Sequence, residues 1–211
     1  MPPADFSDPA ILRHLRRSDP AVAALIRRHG PCTLVADPRP GPFASLTRAI
    51  VHQQLNGTAA RTIEGRLRDL VGGRRLPKPP EIAGLSDDQL RGVGLSRAKV
   101  AALRDLAAKT LDGTVPSARS IARLDDEAII ERCIQVRGIG RWTVEMLLIF
   151  GLGRGDVWPV DDFGVRAGYR RAFSLDEMPK ARDLRGVSEA WRPWRSVVAW
   201  YCWREADAAK D

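Results

Sequence analysis

Two glycines one residue apart, Gly138 and Gly140, stand between two apolar-periodic runs, and this spacing constrains the chain more than any other stretch. The run before them covers Asp125 to Val136 and the run after them Trp142 to Phe150, both with helical periodicity. Glycine enters left-handed or crowded backbone geometry without a Cβ penalty, so the pattern predicts a tight helix-hairpin-helix. The second helix then opens with N–H groups that none of its own carbonyls can reach, at the positive end of its dipole. Such an end suits a phosphate, and Arg137 and Arg141 beside it add charge of the right sign. A Gly-x-Gly between helices is also ordinary turn chemistry. The company of this one points further: basic flanks, Trp142 inside the second helix, and the carboxylate pair Asp161-Asp162 beyond it.

The charge balance agrees. Thirty-four Lys and Arg against 26 Asp and Glu leave a net charge of +8 and a pI near 10.1. A small basic chain suits a polyanion, nucleic acid first, although solubility through charge gives the same balance. With 44% hydrophobic and 28% charged residues the chain is folded rather than disordered. Its 211 residues suffice for one ordinary domain or two small lobes sharing a core. Cys32, Cys133 and Cys202 lie far apart with no C-x-x-C spacing, which speaks for buried reduced thiols and against a zinc site, an iron–sulfur cluster or a disulfide framework. No apolar run reaches membrane-spanning length and the start lacks a signal-peptide core, so the expected place is the cytoplasm, near the nucleoid, with no membrane partner.

Taken in order, the chain reads as helices throughout. Met1 to Ser7 is Pro-rich and expected to fray. Asp8-Pro9 and Asp19-Pro20 each place a cap before a helix-opening proline, predicting helices from Pro9 to Arg17 and Pro20 to Arg28. Further helices are expected from Phe43 to Gln54, from Gly57 behind an Asn56 cap to Leu70, over Ser86 to Leu90, and from Arg97 to Leu111. Arg74 to Pro80 reads as a loop. Gly92-Val93-Gly94 opens a second, looser hairpin whose Ser96 and Lys99 serve either a plain turn or a phosphate. Short helices over Val115 to Ile121 and Asp126 to Cys133 lead into the first hairpin; Phe163 to Phe173 and Ser188 to Ala206 close the chain, with Pro193 near a start or kink. No useful period-2 alternation is present, so the fold class is all-α.

Several residues are placed for chemistry. Asp161-Asp162 opens a helix, so capping is its default role, but adjacent carboxylates point apart and one can face a cleft. Trp142, Phe163, Trp200 and Trp203 either fill a core or wall a pocket for a flat, electron-poor or cationic ring. Gln53, Gln54 and Leu55 end a helix as a wedge able to enter a base stack. His52 reads as a hydrogen-bonded structural histidine, and no phosphate-binding Walker loop or serine nucleophile elbow is present.

Gly138-Ile139-Gly140-Arg141-Trp142-Thr143-Val144, the apolar run after it, Asp161-Asp162, Ile50-Val51-x-Gln53-Gln54 and Trp191-Arg192-Pro193-Trp194-Arg195-Ser196 together resemble the helix-hairpin-helix DNA glycosylases. Within that superfamily they are similar to the alkylation-repair branch, 3-methyladenine DNA glycosylase II, in its compact form without the N-terminal β domain, over roughly Pro42 to Trp203. The resemblance implies two helical lobes with a cleft between them, about 1–40 plus 160–211 and about 41–159. It implies a monofunctional, monomeric enzyme that hydrolyses the N-glycosidic bond of alkylated bases flipped out of double-stranded DNA. The catalytic aspartate falls on Asp162, with Asp161 as local cap or support; other branches place theirs where Asp161 stands. Trp142, Met146, Phe163 and Trp203 would form the base pocket, Met146 replacing a tyrosine. Gly138, Gly140, Arg141 and Thr143 would meet the DNA backbone, and the carbonyls of Ile134, Val136 and Ile139 would hold Na+ or K+. Members with lyase activity carry lysine in place of Trp142, so strand cleavage is not expected. The readings this leaves as alternatives are a hairpin DNA-binding module without chemistry and a mismatch or uracil glycosylase on the same scaffold.

Overall fold

A computed structural model describes residues 4–208, and these residues are helical with no strand among them. They form α1 (Pro9–Ser18), α2 (Pro20–His29), α3 (Gly41–His52), α4 (Gly57–Asp69), α5 (Pro79–Gly84), α6 (Asp87–Gly92) and α7 (Arg97–Leu111). There follow α8 (Ala118–Ile121), α9 (Asp126–Cys133), α10 (Arg141–Met146), a π-helical turn (Leu147–Gly151), α11 (Phe163–Ala172), α12 (Ala181–Leu184), a 3₁₀ turn (Glu189–Trp191) and α13 (Arg195–Asp207). The chain divides into two compact units, one over Arg39–Leu147 and the other formed by the segment through Pro38 with everything from Leu148 onward.

In the first unit α7 is the central rod. It packs on α3 and α5, and its inner face, Val100, Leu103, Leu106 and Ala107, is buried with Leu46 and Ile50 of α3 and Ile82 of α5. Caps set the element ends: Asn56 accepts from Ala59 N at 2.9 Å, Ser96 from Lys99 N at 3.3 Å, and Asp125 from Ala128 N at 2.7 Å. In the second unit α11 lies against α13, and both pack on α2. Their close approach depends on Gly168, where a Cβ would fall 1.8 Å from the Cys202 carbonyl oxygen. Trp158, Tyr169, Phe173 and Trp191 form an aromatic cluster there, with Trp158 and Trp191 edge-on at 5.1 Å between centroids. All three cysteines are buried free thiols, and burial pushes Cys32 and Cys133 up to about 11. No helix among the described residues is long and apolar enough to cross a membrane.

Four expectations need correction. Residues 1–3 of the stretch expected to fray lie outside the described residues, but Ala4 donates to Gly153 O at 3.1 Å and Phe6 is buried, so the following residues are tied down. The loop expected over Arg74 to Pro80 ends in α5, because Pro79 and Pro80 fit a first helical turn and Glu81 accepts from Lys78 N at 2.6 Å. The helix expected through Phe150 leaves α geometry at Leu147 and continues as the π turn. The closing helix is broken at Pro193, which lacks the N–H to continue it, and restarts at Arg195.

Candidate functional site

In the second unit the central residue is Asp162. It is 9% exposed and is the N-cap of α11: its Oδ1 accepts from Val165 N at 2.8 Å and from the Trp203 indole Nε1 at 2.8 Å. A carboxylate at a helix N-terminus is favoured by the helix dipole, and the indole donor adds a second hold. Pro159 O accepts from Asp162 N at 3.0 Å, so the preceding turn is folded onto the same residue. The local cap expected at Asp161 is thereby found at Asp162. Asp161 is exposed, and the capping falls to Asp162, because its side chain is the one directed back over the first turn of α11.

Gly164 makes this geometry possible. A Cβ at Gly164 would sit 2.8 Å from Trp203 Cδ1 and 3.2 Å from Asp162 Oδ1, inside the space that the indole needs to reach the carboxylate. Phe150 stacks on Trp203 with centroids 5.3 Å apart, and Phe163, next to Asp162 in sequence, is 72% exposed. A hollow of about 590 Å³ opens in this unit, walled by Leu34, Val35, Phe150, Phe163, Trp200 and Trp203, with Arg204 stacked over Trp200 at 5.9 Å. Of the expected pocket residues, Phe163 and Trp203 thus line the hollow, and the Trp203 indole reaches the Asp162 carboxylate. Trp142 and Met146 belong to the first unit, on α10, where Trp142 is 46% exposed. Sequence reading missed Phe150, Leu34 and Val35; the last two lie in an irregular segment with no periodicity to mark them.

In the first unit the hairpin between α9 and α10 has Gly138 at φ +75°, the left-handed turn its sequence predicts. Gly140 is the N-cap of α10 and offers no side chain to the helix's first amides, unlike the Asp, Asn and Ser caps of most of the other helices. The amides of Arg141 and Thr143 at this end are therefore among those an anion would meet. Thr143 is buried, so only its backbone serves that purpose. The Arg141 guanidinium is otherwise engaged: it pairs with both oxygens of Glu127, and its Nε lies 3.1 Å from Glu145 Oε1. Those carboxylates hold its pKa above the usual arginine value, Glu127 foremost. Arg141 clamps α10 to α9, and the exposed Arg137 is the hairpin's outward-facing cation.

The wedge residues separate as well. Gln53 Nε2 donates to Gly138 O at 2.9 Å, whereas Gln54, at φ +55°, and Leu55 are exposed at the turn between α3 and α4. A non-glycine residue in left-handed geometry costs about 1–2 kcal/mol and persists only where its surroundings impose it. His52 pairs with the buried Glu64 at 2.9 Å, and Lys99 Nζ donates to Val51 O at 2.7 Å, which makes Lys99 a structural anchor here. Glu64 also pairs with Arg48 and Arg68; burial alone would raise its carboxyl, but these partners together hold it below the usual value. As for a cation at the hairpin, Ile134 is the C-cap of α9, so its carbonyl belongs to a helix end that lacks intrahelical partners. Neutral carbonyl oxygens suit a hard monovalent ion, and among the described residues no group of His, Cys, Asp or Glu is placed to hold a metal.

Residues 47–193 match the model of the HhH-GPD superfamily base excision DNA repair proteins. DNA-3-methyladenine glycosylase 1 of Schizosaccharomyces pombe is 39% identical over 168 residues, 80% of this chain and 74% of its own. A structure of that organism's 3-methyladenine DNA glycosylase in complex with abasic DNA superposes with a TM-score of 0.80 at 36% identity, covering 92% of this chain and 95% of the other. A Bacillus halodurans DNA-3-methyladenine glycosidase superposes at 0.88 with 31% identity, covering 97% and 93%. The hairpin, the capping aspartate and the indole that holds it all lie within or beside the matched span, and the chain belongs to the HhH-GPD superfamily of base excision DNA repair proteins.

Proposed function

We propose that this chain is a DNA glycosylase of the 3-methyladenine type, hydrolysing the N-glycosidic bond of alkylated bases turned out of double-stranded DNA and so initiating base excision repair. The observation that carries the reading is Asp162, a largely buried carboxylate fastened by a helix amide and by the indole of Trp203, a residue that lines an aromatic-walled hollow. The relatives named for this activity support it. An alkylated purine such as 3-methyladenine or 7-methylguanine carries positive charge, which favours stacking on indole and phenyl faces. That charge also makes the base a good leaving group, so no strong acid is required.

As the C1′–N bond breaks, its electron pair leaves with the base and positive charge gathers on the sugar. Asp162 stabilises that oxocarbenium-like transition state and orients the water, whose oxygen bonds to C1′ as its proton passes to the carboxylate or to solvent. The fixed hold on Oδ1 means that little reorganisation is needed as the charge develops. Trp142 stands where a Schiff-base lysine would be required, so the product is an abasic site in an unbroken strand. The uncapped amides of α10 grip the DNA backbone, and the carbonyls of Ile134, Val136 and Ile139 would hold Na+ or K+, countering the negative end of α9 beside a phosphate. The test is base release from methylated duplex DNA, with free bases and strand breaks scored separately. Release of alkylated purine without strand breaks is expected. DNA binding with no release from any alkylated duplex would refute the reading in favour of a binding module.

A further inference from the structure

We propose that Gln53 is a positioning residue that locks the wedge turn to the phosphate-gripping hairpin, so that backbone grip and base-stack entry form one rigid unit. The inference rests on the glycosylase reading above. It starts from the peptide groups of the hairpin itself. Arg137 N donates to Asp105 Oδ2 at 2.7 Å, and Gly138 O accepts from Gln53 Nε2 at 2.9 Å, so side chains from two different elements hold adjacent residues of one turn. Asp105 comes from α7, and the same helix reaches the other side of the wedge turn, where Lys99 Nζ donates to Val51 O. Ala102 of α7 backs the turn, 3.8 Å from where a Gly138 Cβ would lie.

The wedge turn is thus fastened on every side except its tip. Val51 is held by Lys99, His52 by Glu64, Gln53 by the hairpin, and Asn56 is committed to capping α4. Between these anchors Gln54 is left in left-handed geometry, with Gln54 and Leu55 exposed. Only a turn held in place sustains that backbone. The amide–carbonyl bond of Gln53 crosses from the end of α3 to the hairpin, 85 residues away in sequence, and sets how far the tip stands from the phosphate-binding amides. Gln53 therefore works through Gln54 and Leu55, without entering the base stack itself.

This assignment makes a prediction specific to the energy of base extrusion. Unstacking and unpairing cost least where the base is already unpaired. Gln53→Met keeps the side chain's length and removes the donor; Gln53→Glu, a second variant, replaces the donor with an oxygen facing the Gly138 carbonyl. Single-turnover release of 7-methylguanine is measured for each variant on two duplexes, one with the lesion paired to cytosine and one with it in a single-nucleotide bulge. Loss of a neutral hydrogen bond predicts a fall of roughly three- to tenfold on the paired substrate. For the uncharged Gln53→Met the bulge rate and the salt dependence of DNA binding are expected to stay at wild-type values. An equal loss on both substrates would make Gln53 a merely structural residue, and no loss on the paired substrate would remove it from the mechanism. Wild-type protein that releases neither 7-methylguanine nor 3-methyladenine from either duplex would refute the glycosylase reading itself, a failure distinct from either.

Discussion

Asp162 carries two duties that substitution can separate. As N-cap it accepts from Val165 N and Trp203 Nε1 at Oδ1, and in the proposed mechanism its charge serves the transition state. Asn keeps an oxygen at that place and is as good a cap as Asp, so Asp162→Asn retains both of these hydrogen bonds, and the charge–dipole contribution it gives up is under about 1 kcal/mol of stability. Its rate of base release, however, should fall about a hundred- to thousandfold, as for other preorganised groups removed from a developing charge. Asp162→Ala removes the cap and leaves the half-buried indole N–H without its acceptor, a destabilisation of about 2 kcal/mol. The two variants should therefore be similarly inactive but differ in urea unfolding by more than 1 kcal/mol, by the same magnitudes. Single-turnover base release and equilibrium unfolding on one preparation of each variant check both duties. The reasoning is refuted if Asp162→Asn retains near-wild-type turnover, or if Asp161→Asn at the exposed neighbouring position suffers the larger loss.

Other consequences follow from the same geometry. Because Arg137 points outward and Arg141 is clamped between Glu127 and Glu145, Arg137→Gln should lower the slope of log K against log salt for DNA binding by about 1. Arg141→Gln should leave that slope unchanged and lower the melting temperature instead; a reversed pattern would return Arg141 to the phosphate-binding set. Gly168→Ala forces α11 off the Cys202 carbonyl and should cost at least about 3 kcal/mol in urea unfolding or prevent soluble folding; a change under about 1 kcal/mol would contradict the packing. Burial pushes the Glu205 carboxyl up, but His29 and Arg28 outweigh it and hold it below its ordinary value of 4.5. A lowered folded value stabilises above the unfolded one and is lost as the pH falls through the folded one. Melting temperature followed from about pH 6 to about pH 3 should thus drop more steeply in wild type than in Glu205→Gln; parallel curves would exclude Glu205 as a source of acid sensitivity.

Much of this protein is local chemistry that a single sequence displays. Helix periodicity, the Asp8, Asp19, Asn56 and Ser96 caps and the Gly138 turn depend on residues within a few positions of one another, so α1, α2, α4, α7, α9 and the hairpin are visible without a structure. So is the importance of Asp161-Asp162, since a carboxylate pair opening a helix is itself a short-range pattern. Local pattern left open which carboxylate turns inward, and only the family resemblance selected Asp162; the choice depends on Trp203, 41 residues away, reaching Asp162 across the space that Gly164 leaves open. The roles of Gln53 and Arg141 were hidden for the same reason: side chains that look available in sequence are consumed by Gly138, Glu127 and Glu145. Phe150, Leu34 and Val35 line the hollow through the packing of separate segments, with no periodic signature of their own. The sequence by itself determined the helices, the hairpin and the kind of chemistry, through caps, glycines and spacing. Only the tertiary structure decided which polar groups remain for DNA and which are used up holding the fold, because hydrogen-bond partners are chosen by proximity in space and not along the chain.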